Sequence, residues 1–380
     1  MDELQLDKSK QVQAKEYARI RRRLTLLEVV LGGLYTTSWL VFGWGIDLAE
    51  SIGEFSYNPW LEVAVFALVF SGIYLVIDVP LSFYSGFVLP HRFQLSNQKL
   101  GGWVGDLIKG MALSGIFGLL IIEVIYWLLR TLPESWWVIA GFFIFAINIV
   151  LANLAPILLM PLFFKFTPLA DEYRELSERL VRLSERADTR VKGVFQIDLS
   201  QRTKAANAAL IGLGNTRRII LGDTLLKEFS SAEIETVFAH ELGHQVHKDI
   251  PLGMAVETLL TFVGLYLANL GLNWGVAYFG FDGLGDTAAM PLLVLVMGGY
   301  GLLTMPLGNA FSRWREVRAD AYALQATGNG KAYASALVRL ANQNLAEVEP
   351  EAWVELLLYS HPALGKRIEM ARSFKLEQAA

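Results

Sequence analysis

Residues 235–249 read ETVFAHELGHQVHKD, and two of the chain's five histidines, His240 and His244, stand in this stretch four apart around Glu241. Ser230 with Glu233 three residues on is a capping-box signal, so the spacing predicts a helix over 230–249 with HELGH inside it. On that helix the two imidazoles share one face about 6 Å apart along the axis. They can converge on one Zn²⁺ at about 2.0–2.1 Å. Glu241, displaced around the helix, can reach a water on the metal rather than the metal itself. Such a glutamate takes the proton as the water attacks a carbonyl. A catalytic zinc keeps three protein ligands and one open position, so a third ligand is needed. Downstream, NAFSRWREVRADAYALQATG (309–328) sets Glu316 and Asp320 four apart on one helical face. Glu316 can complete a His, His, Glu set, and Asp320 can accept the free N–H of a liganding histidine. The alternative is an ion-pair network with Arg313, Arg315 and Arg318 on a solvated face. His247 is read as the polar end of the HELGH helix, beside Lys248 and Asp249.

The rest of the chain is unlike a soluble hydrolase. Over 380 residues, 53% are hydrophobic and only 18% are charged, with a mean hydropathy of +0.39. Six runs are long and apolar enough to span a bilayer: roughly 24–46, 61–88, 105–130, 136–163, 252–276 and 288–311. The third and fourth are separated only by RTLPES, which predicts a helical hairpin. Trp60, Trp103, Trp136, Trp137 and Trp274 lie at span edges, as in interfacial belts. Arg21 to Arg23, then His91, Arg92 and Lys99, then Lys165, then Arg313, Arg315 and Arg318 fall in alternate loops, while the other loops are acidic. The positive-inside rule therefore puts both termini, the long insert and HELGH on the cytoplasmic side. Glu62, Asp78 and Glu123 fall in or near spans, and Asp78 is the deepest. The absence of cysteine excludes disulfides, thiolate metal sites and cysteine nucleophiles. A net charge of -4 leaves no footprint for nucleic acid.

The fold class that follows is a mainly α, polytopic membrane bundle of about six spans, with a small α+β metalloprotease domain bearing the HExxH helix. Four stretches are expected: 1–165 with four spans, 166–250 as the cytoplasmic insert, 251–312 with two spans, and 313–380 as C-terminal cytoplasmic helices. Within the insert, 169–188 reads as an amphipathic helix, VKGVFQIDLS as a strand, and the segments flanking Gly214-Asn215-Thr216 as a hairpin.

These motifs together resemble the integral-membrane zinc metalloprotease family typified by the type I CAAX prenyl protease. The resemblance runs, in family order, through LPHRFQLSNQKLGGWVGDLIKG (89–110), APILLMPLFFKFTPL (155–169), RTKAANA (202–208) with GDTLL (222–226), HELGH, RWREVRADAYA (313–323) and YSHPALGKR (359–367). It implies spans arranged as staves around a chamber. It implies one zinc per chain on His240, His244 and Glu316, with Glu241 as the catalytic base. It also implies Asn207, His361 and Arg367 as substrate or transition-state contacts. The chain has two spans before the first of these motifs where eukaryotic members have three, and this shorter form points to a prokaryotic cytoplasmic membrane.

The implied function is a membrane zinc metalloendopeptidase cutting polypeptides at the cytoplasmic face, with membrane lipids around it. Its substrate would be a lipidated CAAX-type or other C-terminal segment. A quality-control protease for membrane proteins is the alternative within that class. A transporter or scaffold with a structural metal is the alternative outside it. The sequence carries no signal of oligomeric state.

Overall fold

The computed structural model describes residues 5–212 and 214–375. The extreme ends of both expected tails, and Leu213 in the expected hairpin, lie outside the described residues. Helix α1 (Lys8–Val41) opens on Asp7, whose carboxylate caps the amides of Ser9 and Lys10. It ends five residues before the expected limit of the first span, because Gly43 takes a left-handed φ of 72° and starts a separate helix, α2 (Trp44–Phe55). There follow α3 (Pro59–Arg92), α4 (Leu100–Thr131) and α5 (Trp136–Phe163), the last two forming the expected hairpin. A short strand β1 (Phe166–Pro168), which the sequence reading missed, leads into α6 (Arg174–Arg186), β2 (Val194–Ile197), β3 (Ala208–Ile211) and β4 (Arg218–Gly222). Then come α7 (Asp223–Glu228), α8 (Ser231–Val246), α9 (Asp249–Phe279), α10 (Met290–Thr327), α11 (Gly330–Gln343), α12 (Ala352–Leu358) and α13 (Leu364–Ser373). Six helices among the described residues are long and apolar enough to cross a membrane.

The sheet order is β1-β2-β4-β3. The β3–β4 pair is the antiparallel hairpin the sequence predicts, and β2 and β4 run parallel. β3 has one neighbour and so leaves an open edge. Ser230 and Glu233 form the capping box at the head of α8.

Two large cores hold the molecule, beside two small clusters around Leu89 and Ile220. One packs α6, the sheet, α8, the end of α10 and α11 around Leu180, Leu221, Phe238 and Leu337. The other gathers the opposite ends of the long helices around Trp39, Phe66, Tyr126, Trp136 and Leu272. Trp136 is thus a core residue and not part of an interfacial belt: its ring is fully buried, and its indole donates to Asn269 Oδ1 at 2.8 Å. Glu62 is tied down at the same end, accepting from Arg130 at 3.2 Å and from Thr287 at 2.7 Å. Between the two cores nothing is buried over 15–35, 71–88, 100–124, 142–163, 250–263 or 294–315. A solid bundle would bury a stripe along every helix. Six helices that touch their neighbours yet bury no residue fully for nearly four turns or more enclose a chamber and not a packed core.

Candidate active site

The site forms where α8 crosses the cytoplasm-expected end of α10. The two backbones meet because each presents a small residue there. A Cβ on Gly243 would stand 2.9 Å from Ala319 Cα and 3.2 Å from its carbonyl oxygen, closer than real contacts allow. Glycine at the fourth position of HELGH is thus a requirement of helix packing, and it brings the histidines of one helix against the carboxylates of the other.

His240, His244 and Glu316 converge there, one ligand atom from each lying within 4.8 Å of the others. His240 Nε2 is 3.2 Å from Glu316 Oε2, and His244 Nε2 is 3.5 Å from Glu316 Oε1. Donors bound tetrahedrally at about 2.0–2.1 Å are separated by roughly 3.3–3.4 Å, so these spacings fit a single ion. Glu316 Oε2 is buried and accepts no hydrogen bond. A buried carboxylate oxygen in that state calls for a further partner, and an ion between it and the nearby His240 Nε2 supplies one. The donor set and its orphaned oxygen therefore fit a metal.

Each histidine is anchored from behind by a carboxylate. His240 Nδ1 lies 2.7 Å from Asp320 Oδ1, on the face of α10 that also carries Glu316. Asp320 is wholly buried and is gripped from its other side by Arg367, with Nε on Oδ2 at 2.8 Å and Nη2 on Oδ1 at 2.7 Å. Tyr333 of α11 donates to the same carboxylate. His244 Nδ1 lies 2.8 Å from Asp249 Oδ2. These contacts leave the Nε2 atoms of both rings turned towards Glu316.

Sequence reasoning missed Asp249 and Tyr333. Asp249 follows Lys248, which takes a left-handed φ of 56° between α8 and α9 and throws the chain back towards His244. That costs of order 1–3 kcal/mol for a residue with a side chain. The signal was an acid just beyond the helix end, which the sequence reading took for a polar terminus. Tyr333 left no local signal. Arg367, expected against substrate, has its guanidinium on Asp320 and Tyr333.

Glu241 carries no hydrogen bond among the described residues, and burial pushes its carboxyl above the ordinary range despite His240 and His244 nearby. Burial pushes His240 down, but Asp320 and Glu316 outweigh it and lift the ring to about 9. His361, in the loop between α12 and α13, sits with Nε2 3.3 Å from Glu316 Oε1 and its side chain 58% exposed. Burial holds it below the usual histidine value. Asn207 is exposed and directly precedes the open edge of β3. The segment before it is tied to the membrane helices: Asp106 of α4 takes Arg202 in a two-pronged pair at 2.8 and 3.2 Å, and Leu95 O accepts from Lys204 N. Asp106 of the 89–110 motif thus holds the segment that leads to Asn207.

Comparison with known proteins agrees with this architecture. The profile of peptidase family M48 matches residues 170–375. A profile described as the CAAX prenyl protease N-terminal region, with five membrane helices, matches residues 3–165, where four helices of this chain are long enough to span. A CAAX prenyl protease 1 homolog of Oryza sativa is 31% identical over 333 residues, 85% of this chain and 76% of that one. An uncharacterized metalloprotease, YhfN, of Bacillus subtilis is 28% identical over 94% of this chain and 84% of its own length. The crystal structure of S. mikatae Ste24p superposes with a TM-score of 0.83 at 25% identity, covering 97% of this chain and 90% of that one.

Proposed function

This chain belongs to peptidase family M48 and is a membrane metalloprotease, and from that premise we propose a zinc endopeptidase that cuts a C-terminal, lipid-bearing polypeptide segment at the cytoplasmic face. The observation that carries the chemistry is the convergence of His240, His244 and Glu316 beside a carboxylate, Glu241, that has no hydrogen bond among the described residues. Two imidazoles and one carboxylate suit zinc. When bound, the ion would supply an acidified water and positive charge for a polarised carbonyl. Glu241 accepts the proton of the attacking water and returns it to the departing amine. His361, on the exposed side of Glu316, donates to the carbonyl oxygen as negative charge gathers there, when such a bond is worth most. Asp320 and Asp249 hold the liganding rings in the tautomer that frees Nε2. Substrate lies extended along the β3 edge, with the Asn207 amide donating to and accepting from its backbone.

The substrate class is supported by relatives named CAAX prenyl protease 1, in rice and yeast among others. The charge of the loops supports the cytoplasmic placement. The test is a pair of quenched-fluorescence peptides ending in Cys-aliphatic-aliphatic-X, one farnesylated and one unmodified, given to purified wild type and Glu241→Gln. The substitution should keep the metal and cut turnover by about a hundredfold or more. Near-wild-type cleavage by Glu241→Gln would refute the mechanism. Equal cleavage of both peptides would refute the lipid-bearing substrate and leave the protease.

A further inference from the structure

α12 is a helix of seven residues, too short to hold itself, and it ends two residues before Ser360-His361-Pro362. Like any helix, it leaves its last carbonyls without internal partners. Here α10 supplies those partners. Arg313 Nη1 donates to Glu355 O at 2.9 Å and to Tyr359 O at 2.6 Å, and Asn309 Nδ2 donates to Leu357 O at 2.8 Å. The far side of the His361 loop is closed by α12 itself, where Glu355 Oε1 accepts from Ala363 N at 3.1 Å. Asn309, Arg313, Glu316 and Asp320 follow one another at spacings of four, three and four, a single stripe along α10. The clasp on the loop and the metal-facing carboxylate therefore lie about 4.5 Å apart along one rigid helix. Two residues beyond Tyr359 reach at most about 7 Å. His361 Nε2 stands 3.3 Å from Glu316 Oε1 because that register sets it there, although its side chain is largely exposed and its other ring nitrogen meets only the adjacent Ser360 hydroxyl at 3.0 Å among the described residues.

We propose that Arg313 is a positioning residue for the reaction: by clasping the carbonyls of Glu355 and Tyr359 it hangs His361 over the metal site at a height fixed by α10. The inference rests on the reading of His361 as a transition-state contact. The guanidinium suits the task, since the two N–H groups of Nη1 serve two carbonyls at the end of a helix whose dipole favours a cation.

The test uses the full-length, metal-loaded protein in detergent and reads kcat and KM on both peptides of the pair above, with metal content and thermal midpoint measured alongside. Arg313→Met should lower kcat about tenfold, with KM within about twofold and metal content normal, because only transition-state contact is lost. In a His361→Ala background the same change should cost less than about twofold, since the residue it positions is gone. Arg313→Lys preserves the charge and a donor nitrogen on a shorter reach, and should fall between. An unchanged kcat in Arg313→Met, or an equal loss with and without His361, would overturn the proposal. A normal kcat in His361→Ala would instead bring down the reading of His361, and this inference with it. A slow His361→Ala beside a normal Arg313→Met would bring down this inference alone.

Discussion

Replacing Gly243 by alanine adds one methyl group at the point where the two halves of the metal site meet. That Cβ would lie 2.9 Å from Ala319 Cα, 3.2 Å from its oxygen and 3.3 Å from its Cβ. Carbon atoms settle at about 3.5–4.0 Å, so α8 and α10 must part by roughly 0.5–1 Å. The atoms in the way belong to a helix backbone and cannot rotate aside. Alanine is the better helix former by about 1 kcal/mol, while overpacking costs about 1–3 kcal/mol. The net loss of stability is thus modest. The functional loss is larger. Gly243 adjoins His244, and Ala319 adjoins Asp320, so the parting opens the 3.2 and 3.5 Å spacings between histidine nitrogens and Glu316. At about 4 Å or more those donors no longer fit one ion bound at about 2.1 Å. Gly243→Ala should lose metal to a weak chelator during dialysis and fall about a hundredfold in cleavage rate, the scale of a 1 Å displacement. Gly298→Ala, in the same α10 but with open space around the new methyl, is the control and should behave as wild type. Wild-type metal content and activity in Gly243→Ala would refute the account of why the two helices meet at a glycine.

Asp249→Ala leaves His244 Nδ1 without its carboxylate and should weaken metal binding about 10- to 100-fold in a competition titration with a chromophoric chelator, whereas Asp249→Asn should lose less. Unaltered affinity in Asp249→Ala would mean that packing alone orients the ring. Glu233 is pushed up by burial but pulled further down by hydrogen bonds from Ser335 and Ser230, so its carboxyl sits below the ordinary 4.5. A depressed carboxyl stabilises the fold above its unfolded value and loses that contribution as pH falls through the folded one. The gap in thermal midpoint between wild type and Glu233→Gln should therefore be widest near about pH 6–7 and close as pH drops below about 4. A gap independent of pH would show that the charge of Glu233 is not what caps α8.

The helices were legible because their causes are local. Long apolar runs gave the spans, and Ser230 with Glu233 marked the start of α8 within a residue. Glu316 and Asp320 could be found because their spacing copies that of the histidines they meet. What escaped the sequence depends on where the chain goes next. Gly43 breaks the first helix through a backbone angle that composition hides. Trp136 resembles its exposed neighbours until Asn269 is brought to it from 133 residues away. Asp249 depends on a strained Lys248, and Tyr333 on the packing of α11 beneath α8. The contacts of Arg367 with Asp320 and Tyr333 were not legible because they join residues 34 and 47 positions apart in the chain.

The hollow between the two cores has a mechanical meaning. A packed interior resists squeezing because its atoms already touch. Here the wall is one helix thick, so lateral pressure from the bilayer is carried as bending by individual helices and passed to whatever clamps their ends. α10 runs for 38 residues, with Pro306 inside it, from the end where Met290 is buried to the stripe that carries Glu316 and Asp320. It therefore behaves as a rib loaded along its length and built in at both ends, and one of its two footings is the metal site. The stiffness of the site geometry is in this sense a property of the shell as a whole.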